Sequence, residues 1–100
     1  MINFALIGAG RIGKMHAQNI HSNPKCQLKY VYDINKKFSQ EVADFTGATI
    51  KSSAEEAINS QNVDSVFIAS STDTHTQYII LSAKAGKSIL CEKPVDLDIN

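Results

Sequence analysis

No apolar run in this 100-residue chain approaches the ~20 residues that a membrane-spanning helix needs. No charged N-terminal region precedes a long apolar stretch, so no secretory signal is read. There is no net charge: ten basic residues balance ten acidic ones. No basic stripe is present either, which removes the general electrostatic attraction for nucleic acid. Cysteine is scarce. Cys26 and Cys91 show neither C-x-x-C nor metal-ligand spacing, so no metal site is expected. Both flank apolar segments and read as reduced, buried thiols of a cytosolic protein. Low-complexity tracts, repeats and linkers are absent. What remains is one small globular domain with 43% hydrophobic residues.

Apolar runs and helical patterns alternate along the chain. Strands are expected over residues 3–7, 27–33, 48–50, 64–70 and 88–91. Helices are expected over 11–23, 35–45 and 74–85, with a short one after Ser53. In the first helix, Ile12, Met15 and Ile20 mark the expected buried face. His16 falls between them as a core histidine, and His21 reads as an exposed helix-end residue. In the second helix, Phe38, Val42 and Phe45 recur at i, i+4 and i+7. Ser53-Ala54-Glu55-Glu56 is a capping box. The 64–70 run is near-continuously apolar, as in a central parallel strand covered on both faces. Gly47 and Gly86 follow helices, where a left-handed residue closes the last turn. The class is therefore α/β: a Rossmann-type, doubly wound parallel sheet with strand order 3-2-1-4-5.

Only five glycines are present, and three of them make Gly8-Ala9-Gly10-Arg11-Ile12-Gly13. This G-x-G-x-x-G follows the first strand and opens the first helix, the context a dinucleotide fingerprint requires. The helix N-terminus offers unpaired N–H groups and partial positive charge to a pyrophosphate. Gly8 permits the tight turn, Gly10 lets the backbone approach the phosphates, and Gly13 lets the helix pack on the strand. Arg11 and Ile12 belong to the same loop. Asp33 stands twenty residues after Gly13, at the end of the second strand. Its carboxylate suits the adenosine ribose hydroxyls and repels a 2′-phosphate. NAD is expected over NADP, although Lys36 and Lys37 lie close in sequence. Ile34, which follows, offers no donor to a phosphate.

The segment from Ser70 to His75 follows the fourth strand, on the ligand side of such a sheet. Ser70, Ser71, Thr72 and His75 are candidate contacts to the pyrophosphate or the nicotinamide ribose. The same segment also reads as capping, through Thr74-x-x-Gln77 or Asp73. After the fifth strand, Glu92-Lys93-Pro94 puts a lysine at the mouth of the sheet, where substrate would meet cofactor. A surface lysine before a turn proline is the plain alternative.

Together these elements resemble the glucose-fructose oxidoreductase / inositol dehydrogenase / MocA family. The residues that carry the likeness are Ala5 to Gly13, His16-Ala17, Tyr32-Asp33, Thr72 to His75 and Glu92-Lys93-Pro94. They look most like the myo-inositol 2-dehydrogenase branch, and the resemblance covers the whole chain. It implies a nicotinamide-dependent oxidoreductase acting on polyols, sugars or related cyclic alcohols. By the same resemblance, Lys93 binds the reacting hydroxyl and takes part in proton transfer, and Glu92 lines the nicotinamide pocket. An Asp and a His from a following domain complete the catalytic set in that branch. Residues 1–100 are accordingly expected to be the dinucleotide-binding domain of a longer two-domain cytoplasmic enzyme. That enzyme is expected to form a homo-oligomer through its second domain. The 100-residue chain alone is expected to be inactive. A non-catalytic dinucleotide-binding sensor and a reductase of imines or double bonds are the competing readings. Lys93 speaks against the sensor, which has no need of it.

Overall fold

The computed structural model describes residues 1–70 and 72–91, with the backbone alone for 72–75. Five strands alternate with four helices: β1 (Ile2–Ile7), α1 (Arg11–Ser22), β2 (Cys26–Tyr32), α2 (Lys36–Thr46), β3 (Thr49–Ile50), α3 (Ala54–Ile58), β4 (Ser65–Ile68), α4 (Thr72–Lys84) and β5 (Ser88–Cys91). All pair in parallel, in the order β3-β2-β1-β4-β5. This is the architecture and strand order expected from the sequence. β1 lies at the centre, and Ala5, Leu6 and Ile7 are buried.

Helices α1 and α2 cover one face of the sheet. Ala17, Ile20 and Val42 pack there with Phe4, Leu6, Leu28 and Val31. Helices α3 and α4 cover the other, where Ala57, Ile58, Leu81 and Tyr78 meet Ala5, Ile7, Val66 and Ile68. The chain therefore crosses from one face to the other between β1 and β4, and a crevice opens at their carboxyl ends.

A bulge in β2 decides which side chains reach which face. Phe4 pairs with Leu28, but Ala5 pairs with Tyr30, so Lys29 is an extra residue. Strict alternation would put Leu28 and Val31 on opposite faces. The extra residue puts both in the α1/α2 core and turns Tyr30 and Tyr32 to the α3/α4 side.

The expected inner face of α1 needs correction. Ile12 and Met15 are 41% and 47% exposed, and the buried residues are Gly13, Ala17 and Ile20. Small residues let this helix come close to β1, which leaves the bulkier side chains at its flanks. His16 is half-buried, its ring against Phe67 at 4.3 Å. In α2, Val42 is buried and Phe38 partly so, but Phe45 is exposed, edge-on to His21. Gly47 and Gly86 are left-handed, at φ 81° and 74°. Ser53 caps α3 by accepting from the Glu56 N–H, while the Glu56 carboxylate accepts from the Ser52 N–H and hydroxyl. The box thus closes one residue earlier than its pattern suggests. Helix α4 begins at Thr72, so Asp73 and Thr74 lie in its first turn instead of before it. Both cysteines are free, Cys26 half-buried and Cys91 exposed at the end of the edge strand β5, so the expectation of two buried thiols fails.

Candidate functional site

The turn out of β1 is held from two sides. The Gly8 N–H donates to the Tyr32 carbonyl at 2.8 Å, and the Ala9 N–H donates to Asp33 Oδ2 at 2.6 Å. Gly8 sits at φ +101°, where an L side chain is strained. A Cβ there would also come within 2.6 Å of the Ala69 carbonyl carbon and the Ser70 nitrogen. Gly13 faces back onto Gly8, and a Cβ on it would overlap the Gly8 carbonyl oxygen.

Gly10 is different. It is the N-cap of α1, at φ −71°, and a Cβ on it would meet no atom within 4 Å. Among the described residues nothing forbids a side chain at that position, and none fills the space in front of its backbone.

The three capped or cappable helix starts also differ in a telling way. Asn35 caps α2 by accepting from the Lys37 N–H, and Ser53 caps α3. Among the described residues no side chain caps α1, and no acidic residue sits in its first turn. Its N-terminal N–H groups and dipole are left for an outside acceptor.

Asp33 is half-buried at the end of β2. Besides Ala9, its carboxylate accepts from the Asn35 N–H through Oδ1 at 2.7 Å. A carboxylate has about four acceptor positions, so two remain for a diol. These backbone donors fix the carboxylate beside the open end of α1.

A cavity of about 490 Å³ joins these parts. Its lining includes Gly8, Gly10, Asp33, Ile34 and Ser70, with Tyr32, Phe38 and Tyr78 around them. Of the residues expected at the site, the structure thus brings these five together. Gly13 lies beneath the loop as a packing residue, and Arg11 and Ile12 are exposed at the helix start. Thr72 and His75 are in the first turn of α4, and their side chains are outside the described residues. Ser71, Glu92 and Lys93 also lie outside them. A second cavity, of about 330 Å³, shares Asp33 and Ile34 and continues to Lys36, Lys51 and Ser52.

Tyr78 is, with Ile7, Asn35, Phe38 and Ala69, among the lining residues that were not expected from the sequence. It falls on the apolar face of a helix and looks there like ordinary core. Its phenol is pushed up from the usual range by burial first, then by the nearby Tyr32 and the Asp33 carboxylate. Desolvation likewise raises the Cys91 thiol, the opposite of what activates a cysteine nucleophile. Among the described residues no group of His, Cys, Asp and Glu is placed to hold a metal ion. None of their helices is long and apolar enough to cross a membrane.

The sequence profile of the GFO/IDH/MocA oxidoreductase family, with its NAD-binding Rossmann fold, matches residues 2–100. The chain belongs to this family. Among its GFO/IDH/MocA relatives, the inositol 2-dehydrogenase of Rhizobium meliloti (strain 1021) is 41% identical over 98 residues, covering 97% of this chain and 29% of that protein. The myo-inositol 2-dehydrogenase of Thermotoga maritima is 34% identical over 99 residues, covering 98% of this chain and 30% of the relative. A myo-inositol dehydrogenase from Corynebacterium glutamicum superposes with a TM-score of 0.88 at 39% identity, over 98% of this chain and 29% of that one. GenD2 from gentamicin A biosynthesis, solved in complex with NAD, gives 0.88 at 28% identity, over 93% and 27%. The chain therefore spans about three-tenths of the length of these relatives.

Proposed function

We propose that residues 1–100 are the dinucleotide-binding domain of an NAD-dependent dehydrogenase. The reaction is transfer of a hydride from a hydroxyl-bearing carbon of a polyol, inositol or sugar to the nicotinamide. The observation that carries the cofactor half is the cavity in which a fixed, half-used Asp33 carboxylate adjoins the uncapped start of α1. Gly10 supports it, since an open approach in front of its backbone suits a pyrophosphate. Asp33 takes the adenosine ribose hydroxyls. Ile34 and Ser70 contact the same ligand, with Ser71, Thr72 and His75 following on the β4 side.

The substrate half rests on the names of the relatives, several of which are inositol 2-dehydrogenases. It rests also on Glu92-Lys93-Pro94. When bound, NAD accepts the hydride. The Lys93 ammonium stabilises the negative charge developing on the alcohol oxygen, and it relays the alcohol's proton by giving up one of its own to a base, the Asp and His that the resemblance puts in the following domain. Glu92 lines the nicotinamide end. The assembled enzyme is a cytoplasmic homo-oligomer held through its substrate domain. No observation favours the sensor reading.

NAD binds more tightly than NADP in this account, because the Asp33 charge meets the 2′ position. Asp33→Ala is expected to weaken NAD binding by about 1–3 kcal/mol, the scale for losing hydrogen bonds to a charged group. Asp33→Asn, which keeps a neutral acceptor at the same place, should lose less. Calorimetric titration of both cofactors checks this. Equal affinity of the wild type for NAD and NADP, or an Asp33→Ala variant that binds NAD normally, would show that the ribose is held elsewhere.

A further inference from the structure

We infer that Lys14 and Glu41 are positioning residues for the cofactor cavity: their ion pair clasps α1 to α2 and so sets the gap that a dinucleotide must bridge. The inference rests on the dinucleotide reading above. The Glu41 carboxylate meets the Lys14 ammonium between the two helices. The same ammonium stands 5.1 Å from the centre of the Phe38 ring. Phe38 and Glu41 are three residues apart on α2, so they are neighbours on its surface. Lys14 thus grips α2 at two points.

Each side of the clasp leads to the cavity. The Lys14 N–H donates to the Gly10 carbonyl at 2.8 Å, and Gly10 lines the cavity. On the other side the Phe38 N–H donates to the Asn35 carbonyl at 3.0 Å, and the Asn35 N–H donates to Asp33 Oδ1. Phe38, Asn35 and Asp33 line the same cavity, whereas Lys14 and Glu41 stand outside its lining. The pair therefore acts on a ligand through the walls and not by touching it. The other tie between the two loops, from the Ala9 N–H to Asp33 Oδ2, uses part of the carboxylate that the ribose needs. The clasp uses no such group. A site held in its bound shape binds more tightly than one that must be ordered by its ligand.

Electrostatics explains why this lysine has a partner. Lys14 is the fourth residue of α1, near the positive end of the helix dipole, which disfavours a cation. Helical side chains lean toward the N-terminus, which brings the ammonium closer still. Glu41 offsets that charge. Its Oε1 is buried in turn, and the Lys14 ammonium is what meets it. Removing either partner leaves the other half-buried and uncompensated. A lysine freed at this place would instead be drawn to a pyrophosphate at the start of α1. The clasp and a direct phosphate contact therefore predict opposite signs for the loss of Glu41.

The experiment uses the protein that joins this domain to its substrate domain. NAD affinity is measured by calorimetry for the wild type, Lys14→Met, Lys14→Arg, Glu41→Gln, the Lys14→Met/Glu41→Gln double variant and Asp33→Ala. Each is titrated at a temperature where its thermal melt shows it folded. Lys14→Met and Glu41→Gln are each expected to weaken NAD about 2- to 5-fold, the scale of a partly exposed ion pair. The double variant should bind within about twofold of either single one, because the two residues act as one unit. Lys14→Arg, which keeps the charge and the ring contact, should bind within about twofold of the wild type. A lower melting temperature with NAD affinity unchanged in both single variants makes the pair a strut of the fold and overturns the assignment. A Glu41→Gln variant that binds NAD more tightly overturns it too, since the freed lysine then serves the phosphates directly. Additive losses in the double variant do likewise. If Asp33→Ala loses affinity and the variants of the pair do not, the dinucleotide site stands and the clasp falls. If the wild type binds no NAD, both fall.

Discussion

In a protein that joins this domain to its substrate domain, Lys93→Met should lower kcat by about two to four orders of magnitude. That is the usual span for a lost acid–base group. NAD affinity should stay within a few fold. The expectation starts from the sheet. Because every strand is parallel, all carboxyl ends share one edge. β5 ends there at Cys91, which pairs with Ile68, and Ile68 pairs with Ile7, the residue before the glycine loop. Glu92-Lys93-Pro94 follows at once in sequence. Its lysine is proposed to serve the nicotinamide end of the cleft, away from the adenosine and pyrophosphate. Methionine keeps most of the stem's packing and removes the charge. Single-turnover hydride transfer and NAD titration separate the two effects. An unchanged transfer rate would make Lys93 a surface residue and bring back the non-catalytic sensor. A collapse of NAD binding would make it a cofactor ligand instead.

A single methyl group at Gly13 should be as damaging to the fold as Lys93→Met is to turnover. The added carbon would overlap the Gly8 carbonyl oxygen and sit 2.9 Å from the carbonyl carbon. Backbone cannot step aside as a flexible side chain can, so α1 must back away from β1. The effect should reach about 3 kcal/mol, the upper end for overpacking. For a domain of this size that is about 12–24 °C in Tm, and a large part of a total stability of about 5–15 kcal/mol. Gly10→Ala is the counterpart. It meets no atom of the described residues, so Tm should change by only a few degrees, the effect of a poorer cap. NAD affinity should nonetheless drop about tenfold or more, because the methyl would stand where the pyrophosphate approaches. Thermal melts and NAD titrations of both variants check the split. A Gly10→Ala variant that binds NAD normally would place the phosphates elsewhere.

Much of this was legible from residue order. Alternating runs and turn glycines led to the strand order, because parallel strands with right-handed crossovers leave few topologies. Gly47 and Gly86 could be placed because a helix end asks for a left-handed residue. Asp33 could be placed because the fingerprint sets its distance from the loop. The face of α1 was misread for a physical reason. Periodicity weights large apolar residues, whereas this helix approaches its strand through Gly13 and Ala17, so Ile12 and Met15 are left outside. The β2 bulge left no trace either. In Leu28-Lys29-Tyr30-Val31-Tyr32 nothing marks Lys29 as the extra residue, and that residue sets which side Tyr32 faces. Tyr78 was hidden in the same way, since one apolar helix face serves both the core and the cleft.

The cofactor site is tested most directly by where NAD binds. Backbone amide resonances of the chain, followed by NMR during titration with NAD to about 1 mM, the upper end of usual cofactor and substrate affinities, test it residue by residue. Shifts are predicted at Ala9, Gly10, Arg11, Ile34 and Ser70, which border one cavity or open α1. The amides of Thr49 and Ile50 at the β3 edge should stay still. Perturbations centred on that edge, or none at all at this concentration, would contradict the assignment of the crevice between β1 and β4 as the cofactor site.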